Sequence, residues 1–353
     1  MLVRALKDLF TRGSDSHADQ SAFSAGVAAF DAGDHPAAAE HFSRALHADP
    51  EQVQAHKYLG GIAFQAGRYR EALEHLHHMC RLEPGNPQYH FDAAVVHWKV
   101  GEYDRVRQAC EAALALAPNF HPAHDVLARL ELPGAYYLDV LSMIHSHLRP
   151  RTYLEIGVAD GSSIALAQPE TRAIGVDPEP KIARPLGPRT KICTTTSDDF
   201  FAAHDVHAEL GGLPVDLAFI DGMHHFEFAL RDFINVEKRA SPQSTILIHD
   251  CYPFSRLTAE RERRTTFWSG DIWRLVLLLR KYRPDLRVNV IATAPTGLGV
   301  VRGLDPASRT LHEHLDEIVR EFLAVDYSVL DADKAGMLAL CPNDWEKVKA
   351  ILQ

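Results

Sequence analysis

Tyr153-Leu154-Glu155-Ile156-Gly157-Val158-Ala159-Asp160-Gly161-Ser162-Ser163 is the stretch that decides how the second half of this 353-residue chain folds. A short apolar run ends near an acid and breaks into glycines, the pattern of a buried strand running into a tight turn. Three runs downstream do the same: Ala173-Ile174-Gly175-Val176-Asp177, Asp216-Leu217-Ala218-Phe219-Ile220-Asp221 and Thr245-Ile246-Leu247-Ile248-His249-Asp250. Runs this short, rich in β-branched residues and separated by helical or loop sequence, predict buried parallel strands. Ligands bind beyond the carboxyl ends of such strands, so Glu155, Asp177, Asp221 and Asp250 should share that edge. A core has no use for four aligned negative charges, and a ligand or cation is the reason for them. The glycines allow a close backbone approach, and the helix expected after them would present free N–H groups at its start. Asp177 follows Glu155 by 22 residues, where an acid can bind ribose hydroxyls.

The bulk properties narrow the class. The chain is 46% hydrophobic and 24% charged, ordinary for a globular protein. A net charge of −10 argues against nucleic acid as a partner. Arg261, Arg263 and Arg264 are interrupted by Glu260 and Glu262 and read as a solvated loop. The five cysteines form no CxxC pair, which fits a reducing cytoplasm. No apolar stretch reaches the roughly 20 residues of a membrane span. Residues 1–18 read as a leader, helical in part, without the apolar core of a signal peptide. The 21 histidines look scattered.

The first third repeats itself. Gly33, Gly67 and Gly101 are 34 residues apart, as are Pro50, Pro84 and Pro118, and Phe30, Phe64 and Trp98. Small residues recur at Gly26, Gly60 and Ala94, and at Ala38 and Ala72. A 34-residue period of this kind resembles the tetratricopeptide repeat. The resemblance implies three helix pairs and a capping helix near His121–Leu130, together spanning 19–131, which either offer a groove to a protein or peptide partner or serve only to pack on the neighbouring domain or to self-associate. Each glycine ends the first helix of a pair, and each proline breaks the chain after the second. His77 and His78 read as solvent-facing.

Leu132-Pro133-Gly134 marks a boundary. An amphipathic helix over 136–148 leads into the strands, and the alternating pattern predicts a doubly wound α/β domain over 135–310. Arg287–Thr293 and Leu298–Arg302 predict a hairpin at one sheet edge. Residues 311–353 read as a helical extension.

A dinucleotide is one candidate ligand, but Ala159 stands where the second glycine of G-x-G-x-x-G belongs. The acid before the glycines, the acid ending the second strand and the terminal hairpin together resemble the class I S-adenosylmethionine-dependent methyltransferases, over about 136–305. That resemblance implies a Rossmann-like fold, with Glu155, Gly157 and Gly161 on the amino-acid half of the cofactor, Asp177 on the ribose, and Ser197 and Asp198 near the adenine. Asp198 and Asp199 also read as caps of the helix beginning at Phe200.

Phe219-Ile220-Asp221-Gly222-Met223-His224-His225 resembles the metal-dependent O-methyltransferases of small hydroxylated compounds. The mapping makes His224 the general base and Asp221 and Asp250 ligands of a divalent cation such as Mg²⁺ or Mn²⁺. His249 stands where those families carry an acid. It reads as a third ligand, an alternative base or a buried structural histidine, and imidazole favours Mn²⁺, Fe²⁺ or Zn²⁺ over Mg²⁺. His225 reads as structural. Asp271 reads as the N-cap of the helix after it, and Trp268 and Tyr252 read as packing or as walls of a substrate pocket.

The expectation is a cytoplasmic methyltransferase acting on a hydroxyl of a small molecule or glycan. The rivals are a repeat scaffold whose methyltransferase-like domain is degenerate or ligand-sensing, and an NAD-linked or hydrolytic enzyme of the same fold.

Overall fold

The computed structural model describes residues 20–353, so the expected leader, 1–18, lies outside the described residues. Two compact units divide near residue 130. No helix among the described residues is long and apolar enough to cross a membrane.

The first unit is a row of helix pairs: α1 (Gln20–Asp31) with α2 (His35–Ala48), α3 (Val53–Gln65) with α4 (Tyr69–Leu82), and α5 (Pro87–Val100) with α6 (Tyr103–Leu116), followed by α7 (His121–Glu131). Gly33, Gly67 and Gly101 each end a first helix with φ between +73° and +80°. The small residues sit where helices cross. A Cβ on Gly26 would stand 2.7 Å from the Phe42 ring, and Ala38, Ala72 and Val106 are fully buried. His77 and His78 are exposed.

The histidines are less scattered than they look. His56 Nε2 bonds the Pro50 carbonyl at 3.0 Å, and His124 Nε2 bonds the Pro118 carbonyl at 2.9 Å. These two sites lie two repeats apart, and His90 occupies the same register between them. At Pro50 and Pro118 the histidine closes the turn that the proline opens.

The second unit begins with α8 (Tyr137–Leu148) and builds one eight-stranded sheet: β1 (Thr152–Ile156), β2 (Arg172–Val176), β3 (Thr190–Cys193), β4 (Val215–Ile220), β5 (Ala240–Ile248), β6 (Arg287–Ile291), β7 (Leu298–Arg302) and β8 (Leu340–Cys341). Their order is β3-β2-β1-β4-β5-β7-β6-β8. The four quoted runs are parallel neighbours as predicted, and β7 runs antiparallel to β5 and β6. Tyr153, Leu217, Phe219 and Leu247 pack against α8 and α17 (Trp345–Leu352). Strand periodicity turns Leu154, Ala218 and Ile246 to the opposite face, where α11 (Phe226–Glu237) and α12 (Trp273–Tyr282) bury Phe226, Phe233, Leu275 and Leu279.

Three expectations need correction. The β1–β2 crossover holds only a 3₁₀ turn, Ile164–Leu166, so no α-helix follows the glycine loop. Fifteen residues separate the two strands and Pro169 sits among them, which leaves little room for a helix. The hairpin is not at the sheet edge, because β7 is inserted beside β5 and β8 pairs outside β6. The segment 311–353 is mostly helical but also supplies β8 to the sheet and α17 to its core.

Candidate active site

The carboxyl edge is held in register beyond the strands themselves. The backbone N–H groups of Asp177, Asp221 and His249 donate to the terminal carbonyls of Cys193, Ile156 and Ile220 at 3.1, 2.8 and 3.0 Å. Gly157, with φ +87°, lets the first loop lie flat on β4: a Cβ there would be 2.0 Å from the Asp221 carbonyl oxygen.

At the β4 and β5 ends, four side chains converge. His249 Nδ1 stands 3.1 Å from Asp221 Oδ1 and 3.5 Å from Asp250 Oδ2, and His224 Nδ1 is 3.2 Å from Asp250 Oδ2. Asp250 is buried and left-handed, with φ +61°, a conformation Asp tolerates better than most residues. Burial alone would raise its carboxyl, but the charges of His224 and His249 outweigh that and hold it down to about 2. His249 is buried too, which disfavours its charge. Asp221 and Asp250 reverse the sign and raise it well above the ordinary range. Its Nε2 is buried without a partner, beside the Tyr137 ring at 4.4 Å.

His224 Nδ1 also lies 2.9 Å from the Trp268 carbonyl. A carbonyl only accepts, so Nδ1 carries the hydrogen and Nε2 is left as the acceptor. The Trp268 ring stacks on the imidazole at 5.0 Å and 15°, while its indole N–H donates to the Glu260 carbonyl at 2.6 Å. Gly270 permits this contact, since a Cβ there would meet the His224 carbonyl at 1.9 Å. His225 is structural, its Nε2 bonded to the Arg261 carbonyl at 3.0 Å.

Asp271 does not cap its own helix, as the sequence suggested. It is fully buried and accepts the Phe226 N–H at 2.9 Å, at the start of α11. Arg274 and Arg261 neutralise it, the latter at 2.6 Å. Arg261 also pairs with Glu227, so it is a strut between loop and helix rather than part of a solvated loop. Tyr252 is buried, which favours its packing role.

A divalent cation fits the convergent donors. The His249 imidazole nitrogen stands 3.1 and 3.5 Å from one oxygen of each carboxylate, near the about 3 Å between neighbouring ligands of an ion bonded at about 2.1 Å. Asp221, His224 and Asp250 also bring ligand atoms within 4.8 Å of one another. His249 Nδ1, 3.1 Å from Asp221 Oδ1, could serve as the nitrogen ligand only after giving up its proton.

The cofactor half departs further from expectation. Glu155 does not face the crevice: it is fully buried, and its oxygens accept hydrogen bonds from Tyr153 and Ser163, each at 2.6 Å. Asp177 Oδ2 takes the Val158 and Ala159 N–H groups at 2.8 and 2.9 Å, and Oδ1 takes the Glu179 N–H at 2.7 Å. Acceptor capacity therefore remains on Oδ1, which suits a ribose hydroxyl. Gly161 lies under Ile182, 3.2 Å from where its Cβ would be. Ser197 and Asp198 open α9 (Ser197–Ala203), which Thr196 caps through the Asp199 N–H. Thr196, not Asp198 or Asp199, is thus the cap, and the helix starts at Ser197 rather than Phe200. Ser197 bonds Asp232, and Asp198 pairs with Arg231 at 2.9 Å, so both are tied to α11.

Burial raises the Glu155 carboxyl to about 8, despite the hydrogen bonds from Ser163 and Tyr153. The folded value exceeds the unfolded one, so the wild type loses stability as pH climbs from about 5 to 8. Glu155→Gln removes that titration. Its stability relative to wild type is expected to rise by a few kcal/mol across this window, read from urea midpoints at several pH values. A gap that stays constant with pH would place the Glu155 charge elsewhere.

A parallel sheet open at its carboxyl edge, with charged side chains gathered there, defines a nucleotide- or cofactor-binding class. The comparisons with known proteins are more specific. Residues 154–251 match the model of a methyltransferase domain, and residues 23–87 and 63–130 match two models of the tetratricopeptide repeat. The chain therefore carries tetratricopeptide repeats followed by a methyltransferase domain. No curated protein sequence matches significantly. Similar solved structures include MamA, at 20% identity over 36% of this chain and 74% of that one, with a TM-score of 0.31. The first such repeat domain of Spaghetti, bound to an HSP90 peptide, is 16% identical over 31% of this chain and 86% of that one, with a TM-score of 0.29. The O-methyltransferase TomG from Streptomyces achromogenes, in complex with S-adenosylmethionine, is 15% identical over 48% of this chain and 80% of that one, with a TM-score of 0.38.

Proposed function

We propose that the chain is a cytoplasmic methyltransferase that moves the methyl group of S-adenosylmethionine to a hydroxyl on a small molecule or glycan. His224 acts as general base, and Asp221, His249 and Asp250 hold a divalent cation. One observation carries this reading: His224 is fixed by the Trp268 carbonyl and the Asp250 carboxylate with Nε2 left to accept a proton. The imidazole side chain is 30% exposed, so an acceptor hydroxyl can reach it. The buried Asp250 carboxylate then stabilises the imidazolium, as in other carboxylate–histidine pairs. When bound, the cation would polarise the hydroxyl and fix its position for attack. Asp177 would hold the ribose and Gly157 the close approach of the first loop. Met223, 56% exposed between Asp221 and His224, would line the acceptor side. The repeats would engage a protein or peptide partner.

A second reading is a ligand-sensing or degenerate domain. It draws on the satisfied state of Asp177 and Glu155, which already bond their own loop and strand. Titration calorimetry with S-adenosylmethionine, paired with a turnover assay over hydroxylated acceptors, separates the two. Binding with S-adenosylhomocysteine release is the expected result. Binding without turnover favours the sensor, and no binding at millimolar cofactor overturns both.

A further inference from the structure

We propose that the amino-terminal edge of the sheet, opposite the strand-end acids, carries a second site for a small phosphate-bearing anion. A groove of about 700 Å³ opens there, lined by Arg149, Arg151, Arg172 and Arg189 together with Gln168 and Glu170. Three of the arginines form a ladder at the starts of adjacent parallel strands. The Arg172 N–H donates to the Arg151 carbonyl at 2.9 Å, and the Ala173 N–H donates to the Arg189 carbonyl at 3.1 Å. Strand spacing therefore sets their backbones about 5 Å apart. Arg151 is neutralised in bidentate fashion by Asp216 on β4, at 3.0 Å. Among the described residues Arg149, Arg172 and Arg189 have no carboxylate partner, and Arg189 reaches only the Glu170 carbonyl, at 3.2 Å.

Glu170 and Asp216 offset two of the four arginines, so two positive charges remain in one groove of a chain whose net charge is −10. Like charges on neighbouring strands repel, and no internal contact rewards their alignment. Guanidinium forks suit a multi-oxygen dianion. With three guanidiniums free of a carboxylate partner and the Gln168 amide against a single lining acid, a phosphate suits the groove better than a lone carboxylate. The groove exceeds the phosphate group itself, which leaves room for an organic remainder.

Calorimetry at low salt with inorganic pyrophosphate tests this, with sulfate as the control for general ionic effects. Pyrophosphate is expected to bind once per chain, and Arg172→Gln and Arg189→Gln should each weaken it by at least about tenfold. Neither variant should lower the melting temperature without the anion, because each relieves a repulsion. Three results would overturn the proposal: no binding at millimolar pyrophosphate, equal binding of sulfate, or variants that melt early and bind normally. Preferential binding of a single-stranded oligonucleotide would also overturn it, in favour of a nucleic-acid surface.

Discussion

Gly157→Ala is expected to cost the methyltransferase domain about 3–5 kcal/mol, enough to leave much of it unfolded at physiological temperature. Two penalties combine. The residue sits at φ +87°, where an L side chain is strained, and its Cβ would lie 2.0 Å from the Asp221 carbonyl oxygen and 2.7 Å from the Gly222 Cα. Both neighbours are backbone, and the Asp221 N–H is itself bonded to the Ile156 carbonyl. Nothing there can rotate aside, so the loop or the β4 end must move. Gly212→Ala is the control, with φ +78° and nothing within 4 Å, and should cost about 1 kcal/mol. Urea denaturation followed by tryptophan fluorescence measures both, since Trp268, Trp273 and Trp345 all report on this domain. Equal midpoints for the two variants would remove the close approach from the account.

Much of this architecture was legible because it rests on periods. The 34-residue columns located every helix pair, and the short apolar runs located the parallel strands, since burial on both faces leaves no polar alternation to blur them. What the sequence left hidden depends on pairings between distant segments. Asp271 looked like the cap of the helix it precedes, yet it caps α11, 45 residues back, because Gly270 brings that loop onto His224. Glu155 looked like a ligand contact by position. A side chain one residue inside a strand end lies within the sheet, and here Tyr153 and Ser163 claim it. The histidine column at 56, 90 and 124 did carry a signal, namely the same 34-residue period as the glycines and prolines.

The site was legible in its members but not in its pairing. Asp221, His224, His249 and Asp250 were all expected at the reacting edge, and they do meet. His249 is the feature that alters the chemistry. In place of a third carboxylate it sets an imidazole between two acids, 3.1 and 3.5 Å away. Its charge and a divalent cation answer the same need, the neutralisation of Asp221 and Asp250. A metal at these donors therefore has to displace the His249 proton, and metal affinity should weaken as pH falls.

Under the proposed reading, His224→Ala should lower kcat/KM by about 10²–10⁴-fold, with cofactor binding unchanged by calorimetry. The base is removed, but Asp177 and the first loop are untouched. Asp250→Asn probes the partner. Asn accepts the φ +61° backbone as readily as Asp, so the fold is kept while the buried charge goes. With His224 no longer held by an anion, His249 left to Asp221 alone, and one metal ligand weakened, the loss should be about 10³-fold or more. Release of S-adenosylhomocysteine, with and without chelator, gives the readout. If chelator and Asp250→Asn each abolish turnover, the acid serves both the base and the cation. If Asp250→Asn abolishes it while chelator does nothing, His249 fills the cation's place and the metal leaves the mechanism. If His224→Ala stays within a few-fold of wild type, His224 is not the base.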